Sequence, residues 1–206
     1  MDSYRSVAKA AQAETIEKKS VFTTYVSPAA SEAEALAFVS EASGRNANAG
    51  HNVYAYRVGL SRTDEKYSDA GEPSGTAGLP ALSVLRKEGI INVAVVIARF
   101  FGGILLGASG LVRAYSGACK AGIDAAGIAV MRLTFVYGLT TPYTYAGKIA
   151  FDAPRIGFII ANTTYGEHVT ITARVLADNA VAFERYITET TNGEAVVERT
   201  GSMYTC

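Results

Sequence analysis

The run from Ile90 to Ala98 constrains the fold more than any other part of the chain. Ile91, Val93, Val95 and Ile97 would form one face of a strand, and Ala94, Val96 and Ala98 make the other face apolar as well. A strand without a polar face has to lie inside a sheet covered on both sides. The run then passes into Arg99-Phe100-Phe101-Gly102-Gly103-Ile104-Leu105-Leu106-Gly107-Ala108-Ser109-Gly110-Leu111-Val112-Arg113-Ala114-Tyr115, and Leu111 to Ala126 reads as a helix. Its small residues Ala114, Gly117, Ala118, Ala121 and Gly122 allow that helix to sit close against a sheet. A buried strand, a glycine turn and a helix start form a connection built for close backbone approach.

That connection suits an anion such as a phosphate. Free backbone N–H groups at a helix start attract negative charge. Gly102, Gly103, Gly107, Ser109 and Gly110 would supply the turn, while Arg99 and Arg113 bracket it and offer bidentate contacts. Gly102 and Gly107 have the spacing of a nucleotide-binding P-loop, but Ala108 stands where the phosphate-binding lysine belongs, which argues against a nucleotide hydrolase. The competing reading is purely structural: the glycines permit close strand–helix packing and each arginine pairs with a nearby carboxylate.

Two further segments carry polar chemistry. Residues 61–78 read as a long polar loop, and loops of that length tend to be functional or disordered. Within it, Ser74, Gly75 and Thr76 could join the anion site, and Asp69 with Glu72 could form an acid–base pair. With no third ligand at fixed spacing, no metal site is expected. The bland alternative is a surface turn in which Glu72 forms a salt bridge with Arg99 or Arg113. His51 opens the strand pattern His51 to Val58 as a hydrogen-bonded structural residue or an acid–base group, and His168 reads as solvated.

The remaining pattern is that of an α+β protein with two domains, residues 1–132 and 133–206. Residues 10–27 alternate as strands, Ser31 and Glu34 form a capping box ahead of a helix that ends at Gly44, and Leu79 to Lys87 reads as a short helix. Beyond residue 132, strands at Leu133–Thr140, Ile156–Ala161, Val169–Val175 and Ala195–Arg199 are expected. Thr141-Pro142 would start one helix and Asp178 would cap a second, containing Phe183 and Ile187 and ended by Gly193. The resulting order is βαββαβ, a ferredoxin-like split unit. Nineteen basic residues balance nineteen acidic ones, so the chain is not coated in positive charge, although a local basic patch is compatible with that balance. Cys119 and Cys206 suggest neither a disulfide framework nor a metal site, and no membrane span, secretory signal or cofactor motif is seen, so a cytoplasmic location is expected.

Taken together, His51-Asn52-x-Tyr54-Ala55-Tyr56, the segment Ser68-Asp69-x-Gly71-Glu72-Pro73-Ser74-Gly75-Thr76-Ala77-Gly78-x-Pro80 and the glycine-rich stretch from Arg99 to Tyr115 resemble the YigZ/IMPACT family. Lys18-Lys19-Ser20-x-Phe22 fits the same pattern. The resemblance implies an N-terminal domain similar to domain IV of elongation factor G, with a ribosomal-protein-like βαβ fold. It implies a C-terminal half similar to domain V, and a connection to translation with RNA or the ribosome as partner. Ala70 departs from a position that is usually acidic in the family, and Leu105 from one where lysine is frequent, which thins the local basic patch. The alternative expectation is an enzyme acting on a small phosphorylated or acidic substrate, with Glu72 or His51 as acid–base group.

Overall fold

In the computed structural model, which describes residues 1–206, the two-faced apolar run is the middle strand of a five-stranded antiparallel sheet. This sheet belongs to the first of two compact units, Ser3–Val130 and Met131–Cys206. The first unit contains β1 (Ser3–Val7), β2 (Ala11–Glu17), β3 (Ser20–Pro28), α1 (Glu32–Arg45), β4 (His51–Val58), β5 (Asp64–Ser68), α2 (Gly78–Glu88), β6 (Val93–Phe100) and α3 (Ala108–Ala126). Its strand order is β2-β3-β6-β4-β5. Val93, Val95 and Ile97 on β6 face Leu82 and Leu85 of α2 and Tyr115, Ala118 and Ile123 of α3 in one continuous core. Ala94 joins Ala29, Ala35 and Tyr56 beneath α1 on the opposite face. Both faces of β6 are therefore covered, as its composition requires.

Helix α3 lies close to the sheet because Gly122 has no side chain. A Cβ there would fall 2.5 Å from Thr24 Cγ2 and 2.8 Å from Val26 Cγ2, both on β3. The Thr24 hydroxyl donates to the Ala118 carbonyl at 3.1 Å across the same contact. β2 and β3 are joined by the two-residue turn Lys18-Lys19, with φ of 45° and 66°. Both residues sit in the left-handed region that tight hairpin turns require and that glycine or asparagine usually fills.

Several boundaries differ from the sequence reading. Residues 61–78 are not all loop: Asp64–Ser68 pairs with β4 as an edge strand. Its polar composition hid it, although charged residues are common on strands at a sheet edge. Glu65 on this strand accepts from Arg57 Nε at 2.7 Å and from Arg86 Nε at 2.7 Å, fastening the edge to β4 and α2.

In the second unit, β7 (Ile128–Thr141), α4 (Tyr143–Ile156), β8 (Phe158–Tyr165), β9 (Val169–Leu176), α5 (Ala180–Thr190) and β10 (Val196–Thr205) follow one another, with strands ordered β10-β7-β9-β8. Tyr137, Leu139, Ile149, Phe158, Ile171 and Phe183 are among the core residues. The helix expected to begin at Thr141-Pro142 has Pro142 itself as its N-cap, because β7 continues through Thr141. Helix α4 runs to Ile156 and delays β8 to Phe158, so the apolar residues at 156–161 are split between two elements. Asp178 does not cap α5. It lies in a 3₁₀ turn, Ala177–Asn179, and pairs with Arg132 at 2.9 Å, while Asn179 takes the cap position.

The Glu65 carboxyl is held below the ordinary carboxylate range by its hydrogen bond from Arg86, against the opposing effect of burial and with Arg57 lowering it further. A depressed folded-state pKa contributes stability that is present above the unfolded pKa and lost as pH falls through the folded one. Glu65→Gln should therefore melt lower than the native chain at neutral pH. The two melting curves should converge as pH drops below the carboxylate range of about 4.

Candidate functional site

Strand register creates the site before any loop contributes. In the β3–β6–β4 pairing, Phe22 and His51 are the Cα partners of Arg99 on its two sides, so the three side chains line up across one face of the sheet. That is the face that carries α2 and α3. Tyr115 comes down from α3 and packs edge-on against Phe22 with ring centroids 5.1 Å apart. Glu72 enters from the loop after β5.

These residues form a buried ionic cluster. Arg99 Nη1 donates to Glu72 Oε1 at 2.6 Å, and the Tyr115 hydroxyl donates to the same oxygen at 2.7 Å. Arg99 Nη2 reaches Ser20 Oγ at 3.4 Å, and the guanidinium carbon lies 5.6 Å from the ring centres of both Phe22 and Phe101. Only 7% of the Arg99 side chain and 3% of the Glu72 side chain is exposed, so the pair interacts at low dielectric. Burial, reinforced by the bond to Glu72, pushes the Tyr115 hydroxyl well above its ordinary pKa and keeps it a donor. Arg99 Nε has no hydrogen-bond partner, a feature it shares among buried side-chain atoms only with Asn52 Oδ1.

His51 borders the cluster from a more open position. Its Nδ1 lies 2.8 Å from the Ala70 carbonyl. A carbonyl only accepts, so Nδ1 carries the proton, and in the neutral ring Nε2 is the free acceptor. Nε2 stands 3.9 Å from Glu72 Oε1, with 30% of the histidine side chain exposed. His51, Glu72, Arg99, Phe101, Leu105 and Leu111 are among the residues around a cleft of about 470 Å³. Gly107 and Ala108, at the start of α3, also line it. The first backbone bond of α3 runs from Leu111 N–H to Gly107 C=O. The N–H groups of Ala108, Ser109 and Gly110 therefore have no acceptor within the helix.

The arginine bracket expected from the sequence does not form. Arg99 is in the cleft, but it is spent on Glu72. Arg113 is exposed on α3 and lines a separate depression with Thr15, Ile16 and Glu17. The polar loop is likewise turned inward. Asp69 Oδ2 accepts from Gly75 N–H at 2.9 Å, and Oδ1 accepts from Ala77 N–H at 3.1 Å and Gly78 N–H at 2.8 Å. One carboxylate thus ties the loop together and satisfies N–H groups at the start of α2, which leaves it unsuited to acid–base work. The Thr76 hydroxyl donates to the Pro73 carbonyl at 2.6 Å, and of this trio only Ser74 is fully exposed.

Gly102 serves packing. A Cβ there would fall 2.0 Å from the Lys19 carbonyl carbon, so this glycine rests directly on the β2–β3 turn. Its N–H donates to Ser20 Oγ at 3.2 Å. Gly103 and Gly107 adopt φ of 81° and 72°, conformations that favour glycine. The basic groups next to the glycine loop therefore come from the hairpin turn: Lys18 and Lys19 are exposed, and the Lys19 backbone touches Gly102.

Two family models match the chain. The Impact N-terminal domain covers residues 18–123, and a domain of unknown function, DUF1949, covers residues 139–194. The IMPACT family member YvyE of Bacillus subtilis is 35% identical over 198 residues, spanning 96% of this chain and 91% of that protein. The chain belongs to the IMPACT family. The IMPACT family member YigZ of Escherichia coli is 39% identical over 102 residues, 48% of this chain and 50% of YigZ. A crystal structure described as that of a hypothetical protein superposes with a TM-score of 0.63 at 27% identity, covering 97% of this chain and 98% of that one. The match to the Impact N-terminal domain begins at Lys18, so it includes the hairpin lysines together with every residue of the cleft cluster.

Breaking the buried pair should be costly. Glu72→Ala leaves the Arg99 charge uncompensated and should destabilise the chain by about 3–5 kcal/mol in urea unfolding, whereas Glu72→Leu combined with Arg99→Met should recover most of that stability. Cys119 is buried, and burial pushes its thiol up to about 12, so it is no nucleophile. Alkylation of the native protein should label only Cys206, with Cys119 reacting once the chain is unfolded; mass spectrometry distinguishes the two outcomes.

Proposed function

We propose that this IMPACT-family chain acts in translation by binding RNA or the ribosome through the surface formed by the glycine loop, the start of α3 and the β2–β3 turn. The observation that carries the reading is the contact of Gly102 with the Lys19 backbone. It sets two exposed lysines beside the glycine loop that leads into a helix whose first three N–H groups lack an intrahelical acceptor, and that combination suits phosphate. Family resemblance supplies the link to translation. Arg99 and Asp69 are not part of this reading, because Arg99 is paired with Glu72 and the Asp69 carboxylate is taken up by backbone N–H groups.

The test is co-sedimentation with ribosomes, and binding of structured RNA, across a salt series. Binding should weaken steeply with salt. Lys18→Glu together with Lys19→Glu should weaken it and reduce the salt slope by about one for each phosphate that is no longer neutralised. The reading fails if neither partner is bound at low salt, or if the double variant binds as the native chain does.

One observation favours a second reading, an enzyme acting on a small phosphorylated or acidic substrate: His51 and Glu72 share one cleft, with Nε2 and Oε1 3.9 Å apart. His51 Nε2 would accept the proton and Glu72 would orient the site. Turnover of phosphorylated small molecules that His51→Asn abolishes, with the fold intact, would establish it. Absence of any turnover by the native chain disposes of it.

A further inference from the structure

We infer that the cleft beside His51 receives a single unpaired nucleotide of an RNA strand, its base against Phe101 and Leu105 and its phosphate toward the start of α3. This deepens the RNA-binding reading above and rests on it. The chain has zero formal net charge, so attraction to the phosphate backbone alone is a weak source of affinity for a long RNA surface. Stacking of a base on an aromatic ring supplies affinity that does not depend on net charge.

The cleft has the parts for such a ligand. Phe101 is 57% exposed and Leu105 is 83% exposed, a large apolar area for a loop that lines a cavity. The cleft volume of about 470 Å³ falls within the range of roughly 300–1,000 Å³ typical of small-molecule sites. That is room for one nucleotide, while a base-paired helix keeps its bases stacked inside and cannot place one there. His51 Nε2 offers a hydrogen-bond acceptor to a base edge, because Nδ1 is committed to Ala70. Charge complementarity comes from the start of α3, where the N–H groups of Ala108, Ser109 and Gly110 have no acceptor within a 19-residue helix and Ala108 lines the cleft at the positive end. Arg99 adds no free charge there, because its guanidinium is paired with Glu72 and its unpartnered Nε is buried.

The experiment is fluorescence anisotropy with a short labelled single-stranded RNA, the same RNA annealed into a duplex, and uridine monophosphate as competitor. The single strand should bind at least about tenfold more tightly than the duplex. Phe101→Ala should weaken it roughly 5- to 150-fold, the range expected for removal of one base–aromatic stack. Phe101→Tyr, which keeps the ring, should stay within about threefold. Thermal melting checks that both variants remain folded, and Leu105→Ala in the same loop should also weaken binding. The native chain should show a shifted His51 ring resonance by NMR when the strand is added.

Equal affinity for duplex and single strand, or no change in Phe101→Ala, overturns the inference. So does displacement by uridine monophosphate at concentrations matching the strand's own affinity, which would make the ligand a free nucleotide. If ribosome binding responds to the hairpin lysines but not to Phe101, only the nucleotide cleft fails. If neither ribosome nor RNA is bound, the broader reading fails with it.

Discussion

The ion pair between Arg99 and Glu72 is the interaction around which the first unit is arranged. A charged side chain at the end of an entirely apolar strand is tolerable only with a partner, and the partner comes from a loop 27 residues earlier. Three elements converge on one carboxylate oxygen: β6 through Arg99, α3 through Tyr115 and the loop after β5 through Glu72. The aromatic rings of Phe22 and Phe101 flank the guanidinium and keep water from it. With this pair, the Tyr115 hydroxyl on Glu72 and the contact of His51 Nδ1 with the Ala70 carbonyl hold the loop over the sheet.

The pair also reassigns chemistry among residues that looked equivalent in the sequence. Arg99 and Arg113 sit at the two ends of one motif, but the first is consumed in the core and the second faces a different depression. Asp69 and Glu72 are three residues apart, and each is used structurally, one for backbone N–H groups and one for a guanidinium. What remains free at the cleft is a histidine with a fixed tautomer, two exposed apolar side chains and the start of a helix. That inventory suits holding a ligand better than breaking bonds.

Much of the first unit was legible because the signals were local. An apolar pattern on both faces marks a central strand, and small residues along one helix mark close packing. The cluster was only half legible. A salt bridge between Glu72 and Arg99 was one of two options, and the sequence offers no means of choosing between arginines without the register. The alignment of Phe22, Arg99 and His51 depends on pairing across three strands far apart in sequence. The contribution of Tyr115 was hidden because a tyrosine on an apolar helix stripe reads as ordinary core. Edge strand β5 was missed since its charges resemble those of a loop, and Asp178 misled because a residue suited to capping sat one position early.

Asp69 has a consequence for mobility. Because one carboxylate binds N–H groups of both the loop and the first turn of α2, the loop is not an independent flap over the cleft. It belongs to the same cooperative unit as a core helix, so opening it means fraying α2 as well. The wall that Glu72 and Pro73 contribute is therefore in place before any ligand arrives, and the entropy of ordering this segment has been spent in folding rather than in recognition. The opposite wall, from Phe101 to Gly107, has no comparable clamp, which concentrates any adjustment to a ligand on the glycine side.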